Sequence, residues 1–544
     1  MLSSLRFKIR HSALLIVTWS FFVSICSANP TLTGFYPTGA KSGSKSEITV
    51  IGSFDVWPVS FWCSNSDVKI TPLAKKGVVT IETQKNSPVG PCWIRAYDPK
   101  GFSSEKVFFL GNLIELPETE PNDLPGLPQK IKEPTTLSGK LQKPGDVDCY
   151  SYSLKKGETL IASVIANQFL QAPMDAVIQV VSPEGFVLAQ DHDEKKLDPE
   201  LIYTAPKTGE YIIRIFAFPS TPDSTIRFAG GDAYNYRLTL TNGPFPIAPW
   251  PLATGALDHG TVQLRGWNLS HSKTLHVSPT KNPGESQTLS MPDWGQSVNL
   301  LRTREKSISH NESTAKLPLE VPFSISLETN PTQESQKIFI RTKKDKILEI
   351  EAKSDSLGWQ MSPVVRIRDS NNTLVKTMEP SDLHKDTEGI FSPKQDGIYS
   401  MDISDLFGHN SPRHICQFTV RDALPDWDLK TTTESIKLEN EKPSELTLNL
   451  IGRNNFNNLV EIEAVGLPEG VKMERKQPGK AGDKTITLVF KAKSNFTPGP
   501  FQLLTWTGAM PAQKKRVQIS RENSTNRPDI WIQMVPTASS KSPG

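Results

Sequence analysis

Asp198, Tyr203 and Gly209 recur as Asp386, Phe391 and Gly397 at one constant offset of 188 positions, and the 54-residue spacing from Gly157 to Tyr211 returns between Asp345 and Tyr399. A register kept at so many points means that one supersecondary unit is present twice. A second echo precedes each copy: Gly39-Ala40, Gly43 and Val50-Ile51-Gly52 reappear as Gly255-Ala256, Gly260 and Val262-Gln263-Leu264-Arg265-Gly266. The chain therefore reads as two unlike units in succession, repeated once with drift.

The period inside these units is that of strands. Leu446-Thr447-Leu448-Asn449-Leu450 and Thr485-Ile486-Thr487-Leu488-Val489-Phe490 alternate largely apolar with polar, as a strand with one buried face does. Punctuation by 43 Pro and 34 Gly leaves no long amphipathic helix. The expected class is all-β, as tandem β-sandwich modules strung like beads rather than one large core. The expected modules are 30–113, 114–243, 244–325, 326–427 and 428–520, with a disordered polar tail over 521–544 apart from Ile530-Trp531-Ile532.

Residues 1–28 read as a secretory signal peptide: Arg6, Lys8 and Arg10, an apolar run from Ala13 to Ile25, then Cys26-Ser27-Ala28 before the cut. Its loss takes away three basic and no acidic residues, leaving 58 of the 61 Lys and Arg against 58 Asp and Glu. A neutral chain without a basic block, or aromatics interleaved with Arg and Lys, argues against nucleic acid as a partner. No stretch reaches the ~20 apolar residues of a membrane span.

Oxygen ligands crowd at Glu118-Thr119-Glu120-Pro121-Asn122-Asp123 and again at Gly145-Asp146-Val147-Asp148. Such density suits a calcium ion, which takes six to eight oxygens. The residues alone equally allow a solvated acidic linker and an ordinary turn whose carboxylates never meet.

The order of short motifs adds to this reading. The acidic hexapeptide, Leu137-Ser138-Gly139, the run Gly145 to Tyr152, Lys156-Gly157-Glu158-Thr159-Leu160, Met174-Asp175-Ala176, Asp198-Pro199-Glu200-Leu201 and Gly209-Glu210-Tyr211 together resemble the bacterial pre-peptidase C-terminal (PPC) domain, a jelly-roll-like sandwich. The stretch is also similar to the collagen-binding domains of clostridial collagenases. That resemblance implies calcium held by Glu118, Glu120, Asn122, Asp123 and Asp148, with Asp146 beside them. Without metal these carboxylates repel one another, so the segment from Leu113 to Asp123 is expected to detach and become mobile, and to dock when the metal binds. In the second copy Gln336 falls on Asp148 and the hexapeptide is missing, so no calcium is expected there.

Pro30-Thr31-Leu32-Thr33-Gly34-Phe35-Tyr36-Pro37, with Pro91-Cys92-Trp93-Ile94-Arg95, resembles the IPT/TIG type of Ig-like domain; 244–325 is its degenerate echo. The module over 428–520 resembles Ig-like domains that follow PPC units in secreted proteins of planctomycete-like bacteria.

Four cysteines follow the signal peptide. Cys63 and Cys92 share a module and are expected to form a disulfide in an oxidising compartment. Cys149 and Cys416 lie in different modules and read as buried thiols. Neither a His-Glu-x-x-His helix nor a Gly-x-Ser-x-Gly elbow occurs. Two further polar groups stand out: His271 with His276, which read as loop bystanders, and Asp191-His192-Asp193, which suits a second cation site or a fixed loop but reads by default as a solvated acidic turn. Trp57, Phe61, Trp62, Tyr150, Tyr152, Trp250 and Trp267 are core aromatics by default and a flat binding surface only if exposed together. The expected function is a non-enzymatic, secreted or periplasmic binding or cell-surface adaptor with a protein or polysaccharide partner. The rival is an accessory subunit of a secreted peptidase system whose catalytic chain is separate.

Overall fold

The computed structural model describes residues 29–534, except 86, 183, 222–226, 270–273, 281–282, 309–315, 330–334, 383–385, 440, 493–495 and 521–528. The signal peptide, His271 and the tail beyond Met534 fall outside the described residues. Strands dominate, with one four-residue α-helix, Asn167–Leu170, and one 3-10 turn, Asp355–Leu357. No helix among the described residues is long and apolar enough to cross a membrane.

Sheets come in pairs along the chain. In the first pair, Gly34–Tyr36, Lys45–Ile51, Val78–Thr83 and Val68–Pro72 face a sheet of Gly39–Lys41, Lys106–Gly111, Gly90–Asp98 and Ser60–Cys63. Ile48, Val50, Val79 and Ile81 from one sheet close on Ile94, Ala96, Phe108 and Leu110 from the other. Alternation along each strand puts these residues on one face, where burial supplies the driving force.

The second pair carries the site. One sheet orders Ile114–Pro117, Thr135–Lys140, Asn235–Thr241, Thr159–Ile165 and Glu200–Thr204; the other orders Gln129–Ile131, Asp148–Leu154, Gly209–Pro219, Met174–Val181 and Val187–Asp191. The fourth pair repeats this plan, with Ser307–Ile308, Phe323–Glu328, Ile415–Asp422, Leu348–Lys353 and Thr387–Phe391 over Ser335–Thr342, Gly397–Asp405, Pro363–Arg368 and Leu374–Met378. The strand Gln129–Ile131 shrinks there to one parallel bridge, Leu319 beside Ile340, at the place where Ile131 pairs with Tyr152.

The repeat holds to the level of single contacts. Asp198 accepts the backbone N–H groups of Ala166 and Asn167, and Asp386 accepts those of Ser354 and Ser356, so each closes the turn after its strand. Tyr203 meets Tyr211 at 5.3 Å between ring centroids, and Phe391 meets Tyr399 at 5.2 Å. The Tyr211 hydroxyl donates to the Lys207 carbonyl at 2.8 Å, as Tyr399 does to Gln395 at 3.1 Å.

The tandem string folds back on itself. Trp531, fully buried, lies in the last module and meets Trp62, Tyr97 and Phe102 of the first at 5.7, 5.8 and 5.0 Å. Ile530-Trp531-Ile532, set apart from the rest of the tail in sequence, lies in the strand Asp529–Met534, parallel to Ser435–Leu438 and antiparallel to Gly499–Thr507. Burial extends from that apolar triplet to Gln533 and Met534.

The two cysteines expected to pair, Cys63 and Cys92, lie on neighbouring strands of one sheet. Register sets Cys63 opposite Ile94 and Cys92 opposite Phe108, so the cysteines share one core-facing surface a diagonal step apart. Cys149 and Cys416 are fully buried thiols in separate modules, and burial pushes each up to about 12.

Candidate calcium site

Three structural features bring the acidic residues together. Ile114–Pro117 runs parallel to Thr135–Ser138, and the Glu118 N–H extends that ladder to the Ser138 carbonyl at 2.9 Å. Both Glu118 carboxylate oxygens then accept the Lys140 N–H at 2.9 Å. The Asn122 carbonyl accepts the Cys149 N–H at 2.9 Å, which fastens the hexapeptide to the start of the strand Asp148–Leu154. Finally the turn before that strand, with Gly145 at φ +92°, a conformation that favours glycine, delivers Asp146.

Glu120, Asp146 and Asp148 each place a carboxylate oxygen within 4.8 Å of the others. Asp146 accepts the Gln142 N–H at 2.5 Å, and Glu120 is held by the Asn122 N–H at 2.9 Å and the Gln142 side-chain amide at 3.0 Å. Asp148 Oδ2 accepts the Tyr236 hydroxyl at 2.5 Å, and Tyr236 in turn lies 2.6 Å from the Tyr150 hydroxyl. Glu118 approaches the group electrostatically rather than as one of the three. Asp123, half-buried, pairs with Lys143 at 3.6 Å and also lies in hydrogen-bond reach of Glu120.

Two observations set this cluster apart from an acidic turn. Asn122 is fully buried, and both its Oδ1 and Nδ2 lack a hydrogen-bond partner. Asp148 Oδ1, on another fully buried residue, lacks one too. A buried polar atom left unsatisfied costs about 1–3 kcal/mol, and a cation is a partner that amide and carboxylate oxygens can share.

The electrostatics agree. Burial, reinforced by Glu118, Asp146 and Glu120, pushes Asp148 up to about 9, with the Tyr236 hydrogen bond opposing. Burial also pushes Glu118 up to about 7, helped by Glu120 and Asp146 and opposed by the Lys140 N–H. Glu120 is raised as well, first by desolvation and then by Asp123 and Asp146, with the Asn122 N–H pulling the other way. Negative charge is thus disfavoured here until a positive charge arrives.

The site adjoins the first module. The Tyr36 hydroxyl donates to the Ser138 carbonyl at 3.3 Å, and burial followed by the charge of Glu118 pushes its phenol up to about 12. The Thr38 N–H donates to Ser138 Oγ at 3.0 Å. Beside it, Arg237 binds Glu115 at 2.6 and 3.0 Å, with both side chains buried and the guanidinium 4.9 Å over Phe109. These contacts hold 113–117 between the first and second modules.

The remaining sequence candidates fall elsewhere. Trp57 and Phe61 pack on the first core, Tyr150 and Tyr152 lie inside the second, Arg265 covers Trp250 at 3.4 Å, Trp267 meets Phe245 and Trp62 meets Trp531. No coplanar exposed platform forms among these seven. Asp191 fixes its loop by accepting the Glu200 N–H at 2.8 Å.

Sequence reading missed the buried charge network between the second and fourth modules. Glu200 binds Lys195 at 3.3 Å and, on its other oxygen, Arg413, which also reaches Glu194 at 3.0 Å. Burial pushes Glu200 up, and Lys195 and Arg413 outweigh it, leaving the carboxyl below its usual range. Partners more than 200 positions apart leave no local signal.

No family model matches the chain, and no curated protein matches it. Among solved structures it is similar to the pre-peptidase C-terminal domain of a collagenase from Bacillus anthracis, at 14% identity over 23% of this chain and all of that one, with a TM-score of 0.17. An I-band fragment of titin is similar at 7% identity over 93% of this chain and 99% of that one, TM-score 0.14. Domains 1–6 of the surface layer protein SbsC are similar at 7% identity over 94% of this chain and 55% of that one, TM-score 0.15. Likenesses this faint carry no assignment of function.

Proposed function

We propose that this chain is a non-enzymatic, secreted or periplasmic adaptor whose second module is stabilised by one calcium ion. Glu120, Asp146 and Asp148 supply carboxylate oxygens, Asn122 its amide oxygen, and Glu118 charge at short range. The observation that carries the reading is the pair of buried, unpartnered oxygens, Asn122 Oδ1 and Asp148 Oδ1, beside three converging carboxylates. Calcium there ties the hexapeptide to the strand Asp148–Leu154 next to Tyr36 and Thr38, fixing the first module against the second. The surfaces so oriented serve to bind a protein or polysaccharide at the cell surface, which a glycan and collagen array probed with and without calcium tests.

Metal binding is coupled to protons in a defined direction. The metal-free Asp148 carboxyl, at about 9, is protonated at pH 7, and Glu118, at about 7, is half so. Calcium binds the ionised forms, so uptake at pH 7 releases protons, and affinity climbs as pH rises from 6 to about 9. Titration calorimetry of the full chain in two buffers of different ionisation enthalpy reads the release. An affinity in the range of about 10⁻⁴–10⁻³ M is that of extracellular modules. Binding without proton release places the ion elsewhere, and no heat at millimolar calcium removes the site.

A further inference from the structure

The second PPC-like copy lacks the acidic hexapeptide, yet it carries a set of ligands of another kind. The strand Gly397–Asp405 ends on Asp405, and the loop to the strand Ile415–Asp422 returns with His409 and His414. One ligand atom from each of the three lies within 4.8 Å of the others. From the loop 405–414 we infer a second metal site, for a divalent transition ion of the zinc class, formed by Asp405, His409 and His414.

The chemistry separates it from the calcium site. Two imidazoles and one carboxylate are borderline ligands that suit zinc and its neighbours, whereas calcium takes oxygens. The supporting contacts fit. Asp405, 6% exposed, is pinned by the N–H groups of Ser362 at 2.8 Å, Phe407 at 2.9 Å and His409 at 3.0 Å. Its Oδ1 carries one of these bonds, which leaves a lone pair. His414, 8% exposed, has Nδ1 2.8 Å from Ser411 Oγ, and so Nε2 remains for the metal, in the manner of ligating histidines held through their other nitrogen. His409 is exposed, its ring 5.7 Å from that of His414. Ligand atoms about 2 Å from a zinc ion lie closer together than 4.8 Å, and the surface side chain of His409 is the one able to close the gap.

The set belongs to the second copy alone: at the offset of 188, Asp405 falls on Ala217. It also has a structural role to play. Arg413, next to His414, is the side chain that enters the Glu194 and Glu200 pair of the second module. A metal joining Asp405 to His414 holds that loop, and with it the contact between the two PPC-like units. Three protein ligands leave a fourth position for water.

The test uses the full chain and cobalt(II), whose visible absorption reports nitrogen ligation, followed by displacement with zinc. One equivalent is expected to bind the parent and the Glu120→Ala variant alike, which separates this site from the carboxylates of the first copy. His409→Ala, at an exposed position that leaves the fold intact, is expected to lose at least about tenfold in affinity, and His276→Ala, at another exposed histidine, to lose nothing. Equal cobalt affinity in the parent and His409→Ala, or no uptake by the parent, overturns the proposal.

Discussion

Arg413→Ala is expected to cost about 3 kcal/mol, at the low end of the range for removing one partner of a buried ion pair. The Glu200 side chain is fully buried and Arg413 nearly so. Truncating the arginine leaves the Glu200 carboxylate with Lys195, 3.3 Å away and itself partly exposed, which keeps the loss from reaching ~5 kcal/mol. The same change frees Glu194 and removes the main charged tie between the second and fourth modules. A double-mutant cycle with Glu200→Ala should return a coupling of about 1–3 kcal/mol, as for residues in one network. Additive effects would mean that the modules are held by other contacts, among them Ile161 and Ile415 packed around Phe245, Ile247 and Leu252.

Trp531→Ala is expected to open the molecule. Its ring is fully buried in the last module's outer face, among Trp62, Tyr97, Phe102 and the Arg95 guanidinium of the first, the last at 5.3 Å. Removing a buried tryptophan costs about 3–5 kcal/mol. Here much of that loss falls on the contact between the chain's first and last modules, because the core side of the strand is carried by Ile530 and Ile532. Small-angle scattering should show a larger radius of gyration for the variant, with far-UV dichroism unchanged. An unchanged radius would mean that the Arg95–Glu434 contact at 3.9 Å and its surroundings suffice to hold the ends together.

The range of a contact decides whether the sequence makes it legible. The repeat could be read because Asp198 and Asp386, or Tyr211 and Tyr399, do the same local work, closing a turn a few residues away. The acidic hexapeptide and the Asp146-Val147-Asp148 turn stand out by composition, and the structure adds the burial of Asn122 and the pairing of Asp123 with Lys143, neither of which composition encodes. Trp531 against Trp62, and Arg413 against Glu200, join residues hundreds of positions apart with no periodic signature. Asp405, His409 and His414 carry no spacing signature, because their meeting depends on where one strand ends and the next begins.

The claim that most depends on this structure is that calcium stabilises the second module through Asp148 and Glu120. Thermal unfolding of the full chain in calcium and in chelator tests it directly. A ligand that binds only the folded state at a hundredfold excess over Kd adds about 2.7 kcal/mol, a shift of several degrees, approaching ten for a unit of this size. The account predicts that shift in the transition of the second module, and its loss in both Asp148→Ala and Glu120→Ala. A midpoint indifferent to calcium in the parent, or variants that respond as the parent does, would contradict it and reduce the hexapeptide to an acidic linker.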